Sequence, residues 1–277
     1  MADVWPLHGD GQRFENAGVI SASTNLTELT EPGGINTKSA YTQLIAATAF
    51  DASGFFVQVT LQTNVARSYL FDIATGGAGS ETVILANVLI TIASTARAAT
   101  VYIPLAIPAA TRLSARYQAS SSVTTDIRLS VLLVGTGWLG GSPFGNSETW
   151  GATAADSGGI QVVPGAASAE GSYAEIIAAT ARDVQAILVC VGNSAGDYAQ
   201  ANLKQLLEVA VGAAAAEQPL VQDLFFIADT LVDSFSPEFF GPIPCMIPAG
   251  SRVACRCQSD AAVTPENVDI VIIGFSL

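Results

Sequence analysis

The chain repeats itself, and that repeat constrains its fold more than any other feature. Tyr41-Thr-Gln-Leu-Ile-Ala-Ala-Thr48 returns as Tyr173-Ala-Glu-Ile-Ile-Ala-Ala-Thr180, an offset of 132 from Tyr41 to Tyr173. Pro32-Gly33 returns as Pro164-Gly165 at the same offset. Leu70-Phe-Asp-Ile-Ala-Thr-Gly-Gly-Ala-Gly-Ser-Glu81 is answered by Leu206-Leu-Glu-Val-Ala-Val-Gly-Ala-Ala-Ala-Ala-Glu217. Ile107-Pro-Ala-Ala-Thr-Arg112 is answered by Ile247-Pro-Ala-Gly-Ser-Arg252, where the offset has grown to 140. Blocks kept in order at nearly constant spacing mark a tandem duplication. The growing offset places the extra residues of the second copy in loops near 193–201 and 229–241. The leaders match loosely, Phe14-Glu-Asn16 against Phe144-Gly-Asn146.

Units this long are too large for solenoid repeats, so each is expected to be a domain: residues 1–138 and 139–277. The turn-rich stretch Gly135 to Gly145 joins them.

Each copy reads as strands of period two. Phe55, Val57, Val59 and Leu61 alternate with Phe56, Gln58 and Thr60. Leu113, Ala115 and Tyr117 alternate with Arg112, Ser114 and Arg116. Ile127 to Val134 is a closing strand matched by Val268 to Phe275. Alternation of this kind belongs to sheets with one buried face. Leu203 to Ala210 could also be read as a helix, but its counterpart Arg67 to Ala74 favours strand. The expected fold class is all-β: two tandem β-sandwich, jelly-roll-like domains related by duplication.

Composition narrows the function. Half of the residues are hydrophobic and 13% are charged, low for a lone soluble domain. Such a surface suits a protein that buries much of itself against neighbours. The net charge is −13, of which residues 139–277 carry −11 and residues 1–138 carry −2. An acidic surface repels phosphate backbones and anionic lipid, which argues against nucleic-acid and membrane partners. No secretory signal is visible, and the apolar stretch Val83 to Ala96 is too short and too β-branched to span a membrane.

No catalytic, cofactor-binding or metal-ligating residue is assigned. Gly135-Thr-Gly137-Trp-Leu-Gly140 matches a dinucleotide fingerprint, but the following Gly-Ser-Pro143 opens no helix. Cys255 and Cys257 fall at the positions of Ala115 and Tyr117, the inward face of a strand, and are expected to be buried free thiols. The single histidine, His8, stands in the leader. Asp223, Asp229, Asp233 and Glu238 are the strongest alternative, as paired carboxylates of a glycan hydrolase or a weak calcium site. Trp138 and Trp150 flank the joint, placed to pack the domains together or to stack on sugar.

The blocks Gly141-Ser-Pro-Phe-Gly-Asn-Ser-Glu-Thr149, Val163-Pro-Gly-Ala166, Glu175-Ile-Ile-Ala-Ala-Thr180 and Ile247-Pro-Ala-Gly-Ser-Arg252 resemble structural proteins of tailed bacteriophages. That resemblance implies a non-enzymatic virion component (decoration, collar, baseplate or fibre) made in the host cytoplasm. Its expected partners are itself, with a trimer favoured, other virion proteins and, for an adhesin, a host-surface glycan. The charge asymmetry suggests that the first copy docks to the particle and the second faces outward.

Overall fold

A computed structural model describes residues 13–23, 25–61, 67–92, 97–121, 127–135, 144–192, 203–228, 238–261 and 268–277. The first copy contributes β1 (Phe14–Ala17), β2 (Val19–Ile20), β3 (Asn25–Glu28), β4 (Thr42–Ile45), β5 (Ala52–Leu61), β6 (Arg67–Thr75), β7 (Thr82–Ile92), β8 (Arg97–Ile103), β9 (Leu113–Ala119) and β10 (Ile127–Gly135). The second contributes β11 (Asn146–Trp150), β12 (Ala152–Thr153), β13 (Gly158–Val162), β14 (Ala174–Ile177), β15 (Val184–Gly192), β16 (Leu203–Val211), β17 (Gln218–Ala228), β18 (Glu238–Ile247), β19 (Val253–Ser259) and β20 (Val268–Ser276). Among the described residues the only helical element is one 3-10 turn, Ser21–Ser23.

Four antiparallel sheets result. Sheet 1 has the order β2-β3-β10-β5-β8 with β1 also on β10, and sheet 2 the order β4-β9-β6-β7. Sheet 3 is β12-β13-β20-β15-β18 with β11 on β20, and sheet 4 is β14-β19-β16-β17. Adding ten to each strand number of the first pair gives the second, so the duplication holds strand by strand. The added residues of the second copy fall between β15 and β16 and between β17 and β19, as the offsets expected. The leaders align differently from the sequence match. Glu15 accepts from the Ala49 N–H and Glu148 from the Ala181 N–H, which makes Ser147, not Phe144, the counterpart of Phe14. The boundary expected at 138/139 lies outside the described residues.

Each pair of sheets closes over its own core. In the first, Phe55, Val57 and Val59 of β5 share a buried cluster with Tyr69, Phe71 and Ile73 of β6 and Tyr117 of β9. The second core keeps the positions but not the volumes: Gln205, Leu207 and Cys257 stand where Tyr69, Phe71 and Tyr117 stand in the first. The β11–β20 pair carries a further exchange. Trp150 replaces Ala17, and Gly274 replaces Leu133, which lets the indole lie over β20. A Cβ on Gly274 would meet the Trp150 ring at 2.7 Å, so the large and small residues exchanged strands together.

The two sandwiches are not separate beads. Along β15, Ile187, Val189 and Val191 enter the second core, while Ala186, Leu188 and Cys190 join the first-copy cluster. Along β20, Ile270 and Ile272 turn inward, and Val271, Ile273 and Phe275 turn to the first copy. Sheet 3 is therefore covered on both faces, and all nine residues of β20 are buried. The order of layers is sheet 1, sheet 2, sheet 3, sheet 4.

Candidate functional site

The sequence blocks that survive duplication act as structural clamps. Thr48 donates its N–H to the Thr111 carbonyl and its Oγ1–H to the Pro108 carbonyl, while Asp51 accepts from the Ala109 N–H. Thr180, Ser251, Pro248, Asp183 and Ala249 repeat each of these bonds. Arg112 ties the Gly76 carbonyl, Glu81 and Gln43 together, and Arg252 does the same with Gly212, Glu217 and Glu175. The Ala-Ala-Thr and Ile-Pro-Ala blocks are thus two sides of one turn lock, which explains their shared spacing.

A second repeated cluster lies on the outer faces of sheets 2 and 4. Arg116 stacks over Tyr41 at 4.5 Å and binds Asp72 at 2.8 Å, and Lys38 binds Asp72 at 2.9 Å. Arg256 stacks over Tyr173 at 4.6 Å and binds Glu208 at 3.1 Å, with Glu170 where Lys38 stands in the first copy. Burial works against Glu208 ionising, but hydrogen bonds from Tyr173, Arg256 and Gln222 outweigh it and hold its pKa below the ordinary carboxylate value. Burial and the Glu208 bond push Tyr173 up to about 12. Glu208 is therefore a charged, paired group at neutral pH, the opposite of a general acid, whose pKa must be raised.

The contact between the copies is a socket and plug. Its apolar part sets Leu89 and Thr91 of β7 against β15, where a Cβ on Gly192 would meet Thr91 Oγ1 and come within 2.9 Å of Leu89. Ser147 and Thr149 of β11 donate their hydroxyls to the Ile84 and Ala86 carbonyls, each at 2.6 Å. The plug is the 154–157 turn between β12 and β13. Gln118 Nε2 donates to the Ala154 carbonyl and to Ser157 Oγ, Asn36 Nδ2 donates to the Ala155 carbonyl, and Ser157 Oγ donates to Asn36 Oδ1. Asn36 reaches the turn from a left-handed backbone position, φ 55°, which asparagine tolerates.

The same socket exists, uncovered, on sheet 4. Its counterpart residues Ser168, Leu206, Phe225 and Gln258 line a groove of about 160 Å³ together with Lys204 and Asp260. Phe225 and Ile227, at the places of Leu89 and Thr91, are 53% and 46% exposed, whereas Leu89 and Thr91 are 0% and 1% exposed. The matching plug on the first copy is the exposed 3-10 turn Ser21–Ser23 between β2 and β3. Around it stand Phe14, Val19 and Ile20, each exposed, beside the half-buried Phe56 and Leu132 of sheet 1.

The other sequence candidates are placed as follows. Cys255 and Cys257 are buried free thiols in the second core, as expected, and burial raises the Cys255 pKa so that its thiolate is disfavoured. Asp223 is exposed on β17 of sheet 4, while Glu238 opens β18 of sheet 3; Asp229 and Asp233 lie outside the described residues. Among the described residues no three His, Cys, Asp or Glu side chains gather to hold a metal. Trp150 neither joins the domains nor meets solvent; it is buried inside the second core. Trp138, His8 and the glycine motif beyond Gly135 lie outside the described residues. Among the described residues no helix is long and apolar enough to cross a membrane.

Sequence reasoning missed the socket and plug. One signal was present: Leu224-Phe-Phe-Ile227 is apolar at both parities, which a strand with one wet face does not require.

Fold and site define a duplicated antiparallel β-sandwich protein whose repeated residues hold turns and whose distinctive surfaces are sheet faces. No family model matches the chain, and no curated protein matches it. Among solved structures it is similar to PNGF-II in its C2 crystal form, with a TM-score of 0.45, 10% identity, and coverage of 96% of this chain and 65% of that one. The P21 form of PNGF-II gives a TM-score of 0.44 and 9% identity, covering 95% of this chain and 66% of that one. This chain thus spans just under two thirds of that protein's length.

Proposed function

We propose that the chain is a non-enzymatic structural component on the surface of a tailed-phage virion, assembling through its β-sandwich faces. The observation that carries this reading is what the duplication kept. The matched residues Thr48/Thr180, Asp51/Asp183, Arg112/Arg252 and Glu15/Glu148 all clamp backbone. Broad, weakly charged sheet faces at both ends of the stack suit a part that is buried in an assembly, and the resemblance of its turn blocks supplies the kind of assembly. The test is to purify tailed particles from cells carrying the gene and quantify the chain by mass spectrometry. A fixed copy number per particle is expected. Absence from particles, with the chain free in the lysate, overturns the proposal.

A second reading has one observation in its favour. The sheet 4 groove sets the exposed Phe225 beside Lys204, Gln258 and Asp260, an aromatic with polar neighbours of the kind that holds a sugar ring. Binding on a glycan array that Phe225→Ala abolishes would favour a host-adhesion role.

A further inference from the structure

The two ends of the four-layer stack are unlike each other, yet each is the counterpart of one half of a contact already made inside the chain. Sheet 4 presents what sheet 2 presents to the second copy: the socket of Ser168 and Gln258, where Asn36 and Gln118 hold the 154–157 turn, and the apolar strip of Leu206 and Phe225, where Leu70 and Leu89 are covered. Sheet 1 presents what sheet 3 presents to the first copy: the 21–23 turn as plug, with Val19, Phe56 and Leu132 at the places of Ala152, Leu188 and Ile273. We propose that a second copy of this chain docks the outer face of its sheet 1 onto the outer face of sheet 4, repeating between chains the contact that sheet 3 makes with sheet 2 within one.

Three features of the faces support that occupant over others. Socket and plug occur at opposite ends of one chain, so neither end matches itself and the contact runs head to tail. Charge favours the same polarity. The sheet 4 end belongs to the half of the chain that carries −11 and the sheet 1 end to the half that carries −2, so joining unlike ends avoids setting two acidic ends together. Exposed Phe225 and Ile227 at one end, and Val19 and Ile20 at the other, are large apolar side chains at positions that are covered in the intrachain contact. The contact between chains is wider than the one within a chain. Thr60 stands where Gly192 stands, and Phe225 where Leu89 stands, so the strands are held farther apart by side chains. A head-to-tail contact closes into a ring if its rotation divides a full turn, and otherwise grows into a filament; the trimer expected from the resemblance is the smallest ring above a dimer.

The experiment is light scattering over a concentration series on the full chain and on two variants, Phe225→Asp at the sheet 4 end and Leu132→Asp at the sheet 1 end. Both side chains are partly exposed, and circular dichroism melting checks that each variant stays folded. Wild type is expected to gain mass with concentration, and each variant alone to stay monomeric. An equimolar mixture of the two variants should form a dimer and stop, because each retains one intact and complementary end. Wild type that remains monomeric throughout the series overturns the proposal. So does wild type whose association neither variant changes, or a pair of variants that will not combine. The inference rests on the reading of the chain as an assembly part but fails separately from it. A chain that stacks in solution yet is absent from virions sinks the virion reading alone; a monomeric chain found on virions sinks this one alone.

Discussion

Strands β10 and β20 hold the same place in the two sandwiches, and they do not share the same fate. Arg128 and Leu132 on the outer side of β10 are partly open to solvent, whereas every residue of β20 is buried. Strands β7 and β17 reverse the pattern: Leu89 is covered in the first copy and its counterpart Phe225 is exposed in the second. One fold, repeated, has had opposite faces closed. The first copy gave up the outside of its four-stranded sheet, and the second gave up the outside of its larger sheet. The lesson is that a tandem duplication makes complementary surfaces without inventing any, because docking one copy on the next leaves one unused half of the contact at each end.

The comparison breaks most sharply at the β7 and β17 counterparts. Leu89→Ala should destabilise the chain by about 2–5 kcal/mol in urea unfolding, as large core truncations do. Phe225→Ala in the dilute chain should fall within about 0.5 kcal/mol, as surface changes do. Equal losses at the two positions would mean that sheets 2 and 4 are equally covered. Next in size is the glycine of the contact. Gly192→Val forces a side chain against Thr91 and Leu89 and should cost about 1–3 kcal/mol, while Thr60→Val at the counterpart leaves the melting temperature unchanged.

The exchanged core pair gives a comparable but reversible effect. Gly274→Ala crowds Trp150 and should lower stability by about 1 kcal/mol, and adding Trp150→Phe should recover part of it. Strictly additive losses would show that ring and strand do not touch. The smallest effect is a pH dependence confined to the second copy. The folded Glu208 carboxylate keeps its charge to lower pH than the unfolded one. Its stabilisation is therefore present above about pH 4.3 and is lost as pH falls through the depressed value. The difference in urea midpoint between wild type and Glu208→Gln should hold steady from neutral pH down to about 5 and shrink below about 4. A gap that widens in acid would reverse the sign and remove Glu208 from the network.

Much of the fold was legible because its causes are local. The alternation of Phe55, Val57 and Val59, the Pro and Gly turns, and the matched Thr and Arg of each copy fix strands and clamps within one sandwich. The helix-like run from Leu203 was resolved by its counterpart for the same reason: two sequences that make one structure must share a period. Trp150 was misplaced because its site depends on a glycine 124 positions later, and nothing local ties Trp150 to Gly274. The leader was aligned three residues out because Glu15 and Glu148 are recognised by the backbone each one caps, which a weak sequence match does not display.

The sequence by itself determined the duplication, the all-β class, the inward faces of the main strands and the burial of Cys255 and Cys257, since period and repetition are properties of the chain read in order. Only the tertiary structure decided that the copies stack, and which face of each is covered. That choice rests on a missing Cβ at Gly192, on hydroxyls of β11 reaching carbonyls of β7, and on a turn at 154–157 meeting Asn36 and Gln118. These contacts join residues far apart in the chain, and their energy depends on shape and hydrogen-bond geometry that exist only after both sandwiches have formed.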